Sequence, residues 1–245
     1  MKITFLGTAD GLPRPGHFRA STMIEVSDRL YLIDGGAPIA DLILVNGKRP
    51  EQLKAFFNTH PHTDHTDGML SLLTLSGWTY KDVAFDIYVP DKCVTDAYVA
   101  YFETITEVKY PSDRIKHHVF TEGEIYDDGY IKVTAVPTKH CLPKPSFSFI
   151  VEAEGKKVVF SGDLSQFFSG NDFPKVVLEE EVDLFVCEMA HFGVDLIAPY
   201  LAECRARRVI FTHVFPLRKY SDIEKIKGAY PFEVLTPSDG DVIVI

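Results

Sequence analysis

The feature that most constrains this chain is a run of potential metal ligands, HPHTDH, at residues 60–65. The apolar segment just before it predicts a buried strand that ends at the run. Residues two apart in an extended segment point the same way, so His60 and His62 can bind one ion together. Asp64 and His65 lie beyond the strand end and can face a neighbouring ion. Because burying these polar groups without a partner would be costly, the run predicts a metal-binding loop.

One such cluster cannot complete two metal sites, and three further candidate ligands follow predicted strands: His140, Asp163 and His213. In layered α/β folds, rigid strands position the loops at their ends, and sites are built there. A single histidine at a strand end is more often a hydrogen-bonded structural residue. The cluster at residues 60–65 is what makes the three distant residues credible ligands.

Apolar alternation predicts strands near 2–7, 22–26, 30–34, 55–59, 85–89, 130–136, 147–152, 157–161, 183–187, 208–212 and 241–245. Amphipathic spacing predicts helices near 37–45, 68–76, 92–107, 194–206 and 221–228. Strands mixed with helices throughout indicate an α/β (α+β) layered architecture. No linker or short repeat divides the chain, so we expect one domain over residues 1–245.

Composition restricts the partners and the location. The chain has 245 residues, 46% of them hydrophobic, which is enough for one large core. A formal net charge of −10 argues against nucleic-acid binding, because such surfaces need Lys and Arg to neutralise phosphates. No apolar run approaches about 18 residues, so we expect no membrane span. The polar N-terminus and four cysteines without a C-x-x-C pair favour a cytoplasmic protein with reduced thiols.

The motif H-x-H-x-D-H, followed in order by the three later ligands, resembles the metallo-β-lactamase superfamily, and the likeness covers nearly the whole chain. Residues 32–36 (LIDGG) resemble the strand and turn that precede the metal motif in that family. Residues 155–163 (GKKVVFSGD) resemble the segment with the bridging aspartate, and residues 239–244 (DGDVIV) resemble the closing strand.

The resemblance implies an αββα sandwich with the metal site at one edge of the sheets. It assigns one divalent ion to His60, His62 and His140, a second to Asp64, His65 and His213, and the bridging position to Asp163. Di-iron redox members of the superfamily usually have an acidic residue where this chain has His62. The histidine therefore favours two Zn²⁺ ions and hydrolysis, with Mn, Fe or Ni as alternatives.

A bound pair of ions would generate a bridging hydroxide that attacks phosphorus or a carbonyl carbon. Asp64 is a candidate acceptor for the proton of this nucleophile. His191, after the predicted strand at 183–187, is a candidate proton donor to the leaving group, and Glu188 could orient it or act itself. Either residue could instead be structural. Asp34 is a candidate hydrogen-bond partner for a ligand histidine, or a turn former before the glycine pair.

Within the superfamily, the chain looks most like the phosphodiesterase branch that includes tRNase Z. Residues 7–13 (GTADGLP) and 212–220 (THVFPLRKY) resemble the beginning and the final histidine segment of those enzymes. Arg218 is a candidate phosphate contact, and His17 and Arg19 lie in a loop that could overhang the site. Each of the three could equally be a surface residue.

The chain departs from tRNase Z in ways that argue against tRNA processing. Only 22 residues, with a predicted strand pair, separate His140 from Asp163, where tRNase Z has a long arm that grips tRNA. With the acidic net charge, this favours a small anionic substrate, such as a cyclic or diester phosphate. β-Lactamase activity is disfavoured because nothing indicates export.

Two other functions remain open at this point. One is an ester, thioester or lactone hydrolase on the same metal core, which an apolar pocket with Arg218 pointing away would favour. The other is a non-enzymatic metal-binding or sensory domain, which would bind metal without turnover. The sequence also leaves open a homodimer, in which exposed apolar residues near Trp78 could pack against a partner instead of filling the core.

Overall fold

Two seven-stranded mixed sheets organise the described residues, 1–12, 14–165 and 172–245, in the computed structural model. Pro13 of the N-terminal motif lies outside these residues. The first sheet contains β1 (Lys2–Gly7), β2 (Ser21–Val26), β3 (Arg29–Ile33), β4 (Leu53–Phe57), β5 (Phe85–Val89), β6 (Ile115–Val119) and β14 (Val242–Val244). The second sheet contains β7 (Gly123–Asp127), β8 (Lys132–Pro137), β9 (Phe147–Ala153), β10 (Lys156–Phe160), β11 (Leu184–Met189), β12 (Arg208–Val214) and β13 (Glu233–Leu235).

Helices cover the outer face of each sheet and make four layers. The helices are α1 (Ile39–Val45), α2 (Met69–Thr74), α3 (Lys92–Thr106), α4 (Val176–Glu179), α5 (Val194–Glu203) and α6 (Lys219–Ile226). One apolar core lies between the sheets and includes Phe57 and Phe149. A second packs α1–α3 on the first sheet, and a third packs α4–α6 on the second. The predicted α/β layered αββα sandwich is confirmed.

Strand direction explains where a site can form. Strands β3 to β6 are parallel in the first sheet, and β10 to β13 are parallel in the second. Strand β8 runs in the same direction as β10, because both pair antiparallel with β9. All six residues of β11 are buried, as expected for a parallel strand covered on both faces. The carboxyl ends of these strands collect the loops at one edge.

Three strands were not predicted: β6, β7 and β13. His117 and His118 lie in β6, and both are half-buried. The predicted helix at 68–76 ends as an α-helix at Thr74 and continues as a π-helical turn, Leu75–Thr79. Trp78 in that turn is 60% exposed, so it does not fill the core; the homodimer stays a prediction.

The helices of the described residues include none with the length and apolar character that crossing a membrane requires.

Candidate metal centre

The seven predicted ligands lie at the carboxyl ends of the strands and come together across the two sheets. The first sheet supplies four of them on the loop after β4, where a short 3₁₀ turn, Thr63–His65, bends the chain toward α2. The second sheet supplies His140 after β8, Asp163 after β10 and His213 near the end of β12.

One group of donor atoms surrounds the first predicted metal position. Nδ1 of His62 lies 3.1 Å from Nε2 of His60 and 3.1 Å from Nε2 of His140. Oδ2 of Asp163 lies 3.7 Å from Nε2 of His60 and 3.5 Å from Nε2 of His140. These four atoms face one another across a space of the size that one cation needs.

A second group surrounds the neighbouring position and shares the same carboxylate. Oδ2 of Asp64 lies 3.5 Å from Nε2 of His65 and 3.7 Å from Nε2 of His213. Oδ2 of Asp163 lies 3.5 Å from Nε2 of His65 and 3.7 Å from that of His213. Asp163 thus lies between the two groups, which is the bridging position that the resemblance implied.

The donor set fits zinc-sized cations. Ligand atoms about 2.0–2.1 Å from a tetrahedral zinc ion stand roughly 3.4 Å apart, close to the distances observed here. Nε2 of His65 is buried and has no hydrogen-bond partner among the described residues. Since a buried polar atom without a partner is costly, this nitrogen is best explained as a metal ligand.

Asp34 connects the two halves of the metal-binding loop by accepting four hydrogen bonds. Oδ2 accepts from Nδ1 of His65 at 2.8 Å and from the Thr59 hydroxyl at 2.7 Å. Oδ1 accepts from the Thr59 backbone at 2.8 Å and the Asn58 amide at 3.0 Å. The bond to Nδ1 directs Nε2 of His65 at the second metal position.

Backbone strain is concentrated at the same edge. Asp34 and His213 both have left-handed φ angles, 57° and 55°. Such angles are uncommon outside glycine and persist where the surrounding structure holds them. At His213 the pairing register of β12 with β11 also shifts, which turns the imidazole toward the metal positions.

Glu188 and His191 form a hydrogen-bonded pair beside the metal ligands. Nδ1 of His191 lies 2.8 Å from Oε1 of the buried Glu188, and 4.0 Å from Oδ2 of Asp163. Burial alone would lower the pKa of His191, but the hydrogen bond and charge of Glu188 raise it to about 9. The imidazole is 19% exposed, and it can hold a proton where a substrate would bind.

The charge of Asp163 is stabilised by its imidazole neighbours. Burial alone would raise the pKa of this carboxyl group, but His213, His65 and His60 hold it well below its ordinary value. The group is therefore an ionised carboxylate, the form that binds a metal ion.

A cavity of about 580 Å³ opens above the two metal positions. Its floor is formed by metal-ligand candidates, and His191 lines one side. The remaining walls come from the N-terminal loop and the segments after β11 and β12: Asp10, Gly11, Leu12, Ala190 and Phe215. The volume falls within the range of about 300–1,000 Å³ usual for small-molecule sites.

The three predicted substrate contacts lie away from these walls. Arg218 is exposed at the beginning of α6, and His17 packs near Thr8 and Asp239 in the N-terminal loop. The guanidinium of Arg19 pairs with Asp67. None of the three lines the cavity, as far as the described residues show, and their substrate role stays a prediction.

Sequence patterning also missed Cys141, which lies beside the first metal position. Sγ of Cys141 lies 3.5 Å from Nε2 of His62, the ring nitrogen that faces away from the first metal position. The direct adjacency of Cys141 to His140 was the signal that could have indicated it.

Solved structures share this fold over the full length of the chain. The metallo-β-lactamase fold protein YhfI from Bacillus subtilis aligns with a TM-score of 0.77 and 20% identity, covering 99% of both chains. Human tRNase Z, short form, aligns with a TM-score of 0.73 and 20% identity, covering 100% of this chain and 99% of that one. Fold and site together define the class: the protein has the metallo-β-lactamase fold and carries a candidate metal centre of histidines and aspartates at one edge of its sheets.

Within that class, the chain belongs to the family described as anti-Pycsar protein Apyc1, whose model matches residues 1–193. Ribonuclease Z from Acaryochloris marina is 30% identical over 145 residues, which cover 58% of this chain and 45% of that protein. The chain thus spans about half the length of the curated relatives it matches. The resemblance to the tRNase Z-like branch of the superfamily is confirmed.

Proposed function

We propose that the protein is a dinuclear phosphodiesterase that hydrolyses a small cyclic or diester phosphate. The observation that carries this proposal is the convergence of four imidazole nitrogens on Oδ2 of Asp163, beneath a cavity that His191 also lines. The family supports the substrate class, since anti-Pycsar Apyc1 proteins degrade a small cyclic nucleotide.

Two cations would share Asp163. His60, His62 and His140 would complete the first position, and Asp64, His65 and His213 the second. When bound, such ions make hydroxide available at neutral pH and neutralise phosphate charge. Zinc is the proposed metal because imidazole suits it, with Mn, Fe or Ni as alternatives.

Two of the protein's own side chains then transfer protons to and from the reacting groups. Asp64 accepts the proton of the attacking water as the new P–O bond forms. His191 donates a proton from Nε2 to the leaving oxygen as the old P–O bond breaks, and Glu188 orients its ring through Nδ1. Leu12 and Phe215 contact the organic part of the substrate on the cavity wall.

A small anion is preferred over nucleic acid as the partner. Between His140 and Asp163 the chain forms only the short β9–β10 hairpin, which has no reach for gripping RNA. We propose the cytoplasm as the location, supported by four free cysteines.

A second candidate, an ester, thioester or lactone hydrolase, is favoured by one observation. The described lining residues of the cavity include no lysine or arginine, whereas Leu12 and Phe215 are apolar. A neutral carbonyl substrate would need no cationic contact beyond the metals.

The test is hydrolysis by metal-analysed protein of bis-p-nitrophenyl phosphate, purine and pyrimidine cyclic nucleotides, a small RNA, a p-nitrophenyl ester and a thioester. We expect diester and cyclic-nucleotide turnover, lost in Asp163→Ala and kept in the exposed Asp96→Ala control. Ester or thioester cleavage without diester cleavage would move the assignment to the second candidate. Two bound metals with no turnover would favour a sensory domain.

A further inference from the structure

A buried lysine at the beginning of α6 contacts the loop that carries His191. Nζ of Lys219 donates to the carbonyl oxygens of Met189 at 2.9 Å and Ala190 at 2.8 Å. The residue is only 9% exposed. Lysine is rarely buried unless a partner matches its charge, so the contacts of the Lys219 ammonium group should explain why it is buried here.

Glu188 holds the same loop from the opposite side. Its Oε2 accepts from the backbone N–H of Ala190 at 2.7 Å and of His191 at 3.1 Å. The two peptide units from Met189 to His191 are therefore each held at the N–H by a carboxylate and at the C=O by an ammonium group. Both peptide planes are fixed, and with them the direction in which the His191 side chain leaves the backbone.

We propose that Lys219 is a positioning residue for His191; this inference rests on the proposed function, in which His191 protonates the leaving oxygen. Lys219 does not line the cavity among the described residues, so it acts through the loop and not on the substrate. Without its ammonium group, the carbonyl oxygen of Ala190 loses its donor from Lys219, and that of Met189 keeps only the longer bond, 3.4 Å, from the backbone N–H of Phe215. The peptide units can then turn, and Nε2 of His191 moves away from the leaving oxygen.

The leaving group provides the test. p-Nitrophenolate departs from bis-p-nitrophenyl phosphate without a proton, whereas the sugar oxygen of a cyclic nucleotide needs one. General acids contribute on the order of 10²–10⁴-fold to the rate. His191→Ala should therefore lower kcat on a cyclic nucleotide at least about 100-fold, and should change kcat on bis-p-nitrophenyl phosphate much less. Lys219→Met should lower the cyclic-nucleotide kcat about tenfold, with nitrophenyl turnover and metal content within about twofold of wild type.

The control is Lys225→Met, which removes one exposed lysine from the same helix. It should change neither rate. The double variant His191→Ala, Lys219→Met separates positioning from general damage, because removing the proton donor should leave Lys219 with no further effect on the ratio of the two rates. Lys219→Gln, which keeps a shorter donor, is measured in the same way should the methionine variant fail to fold, and should show a smaller loss.

The outcomes separate the two hypotheses. If wild type cleaves neither phosphate substrate, the proposed function fails. If wild type and His191→Ala behave as expected but Lys219→Met and Lys219→Gln leave the ratio of rates unchanged, the positioning role is wrong and the proposed function stands. Losses that multiply in the double variant would also overturn the positioning role.

Discussion

Asp34 determines the direction of one candidate metal ligand, His65, without lying at the predicted metal positions itself. Its bond to Nδ1 of His65 holds the ring so that Nε2 faces Asp64 and Asp163. Removing such a partner typically costs about 10- to 100-fold in metal affinity. We therefore expect Asp34→Ala to lower zinc affinity at one of the two positions by that factor, measured by competition with a chromophoric chelator.

The matched control for this prediction is Asp41→Ala, an exposed aspartate on α1. Its zinc affinity should equal that of wild type. Equal zinc affinity in Asp34→Ala and wild type would show that the hydrogen bond does not orient the ligand.

His117 in β6 gives a pH dependence that is separate from the metal centre. Burial lowers its pKa from 6.5, and its Nε2 lies 2.5 Å from Oη of Tyr110. The folded chain keeps the ring neutral to a lower pH than the unfolded chain, which binds a proton below about pH 6.5. The ring's contribution is therefore fully present above that pH and is lost as pH falls.

We expect His117→Gln to lose less stability than wild type between pH 7 and pH 5.5, by no more than about 1.4 kcal/mol per pH unit. Urea unfolding at both pH values measures the difference. Lys116→Gln on the same strand is the control and should follow wild type. If the difference in unfolding free energy between wild type and His117→Gln were the same at both pH values, it would contradict a lowered pKa of His117.

At the scale of elements, the loop after β3 and the loop after β4 are in backbone contact. A Cβ atom on Gly36 would lie 1.7 Å from the carbonyl oxygen of Asp64. Gly36→Ala should force the loops apart, lower the free energy of unfolding by about 2–4 kcal/mol and weaken zinc binding. Urea unfolding and zinc titration measure the two effects.

Gly47→Ala isolates backbone strain from this contact. Gly47 has a φ of 68°, and a Cβ there would meet nothing within 4 Å. The substitution should cost about 1 kcal/mol through the left-handed angle and leave zinc affinity unchanged. If Gly36→Ala and Gly47→Ala had the same zinc affinity, the contact between the loops after β3 and β4 would have no influence on zinc binding.

The strands that sequence patterning missed share a position at sheet edges. β6 ends the first sheet, and β7 and β13 end the second. Their residues are mostly half-buried or exposed, so the alternation that identifies a strand is weak. The interior strand β11, with six buried residues, was predicted within two residues at each end.

At the scale of the whole molecule, the candidate metal ligands come from both sheets, so a bound ion would join the two sheets. Binding that occurs only in the folded state stabilises it, by about 2.7 kcal/mol at a free-ion concentration 100 times Kd. Zinc should therefore raise the melting temperature and a chelator should lower it. Asp163→Ala should remove most of this response, and an unchanged melting temperature in wild type would contradict a ligand set shared between the sheets.

The candidate ligands were predictable because each is a polar residue at or shortly after the end of an apolar strand, a pattern that is visible in the local sequence. The cavity was not. Leu12, Phe215 and Lys219 have no local signal, since their roles depend on which loops the fold brings together. The predicted contact of Arg218 with phosphate relied on a motif, which fixes position along the chain but not the direction of a long side chain.

The division of ligands between the sheets also orders events during synthesis. The loop after β4 leaves the ribosome with His60, His62 and His65 long before His213 follows. Until then the exposed imidazoles would bind copper more tightly than zinc. Nitrogen ligands generally have a higher affinity for Cu²⁺ than for Zn²⁺, and only the geometry of a folded site can oppose that preference. In the proposed function, the geometry of the centre could select its metal only after the second sheet has docked, because three of the seven candidate ligands lie on that sheet.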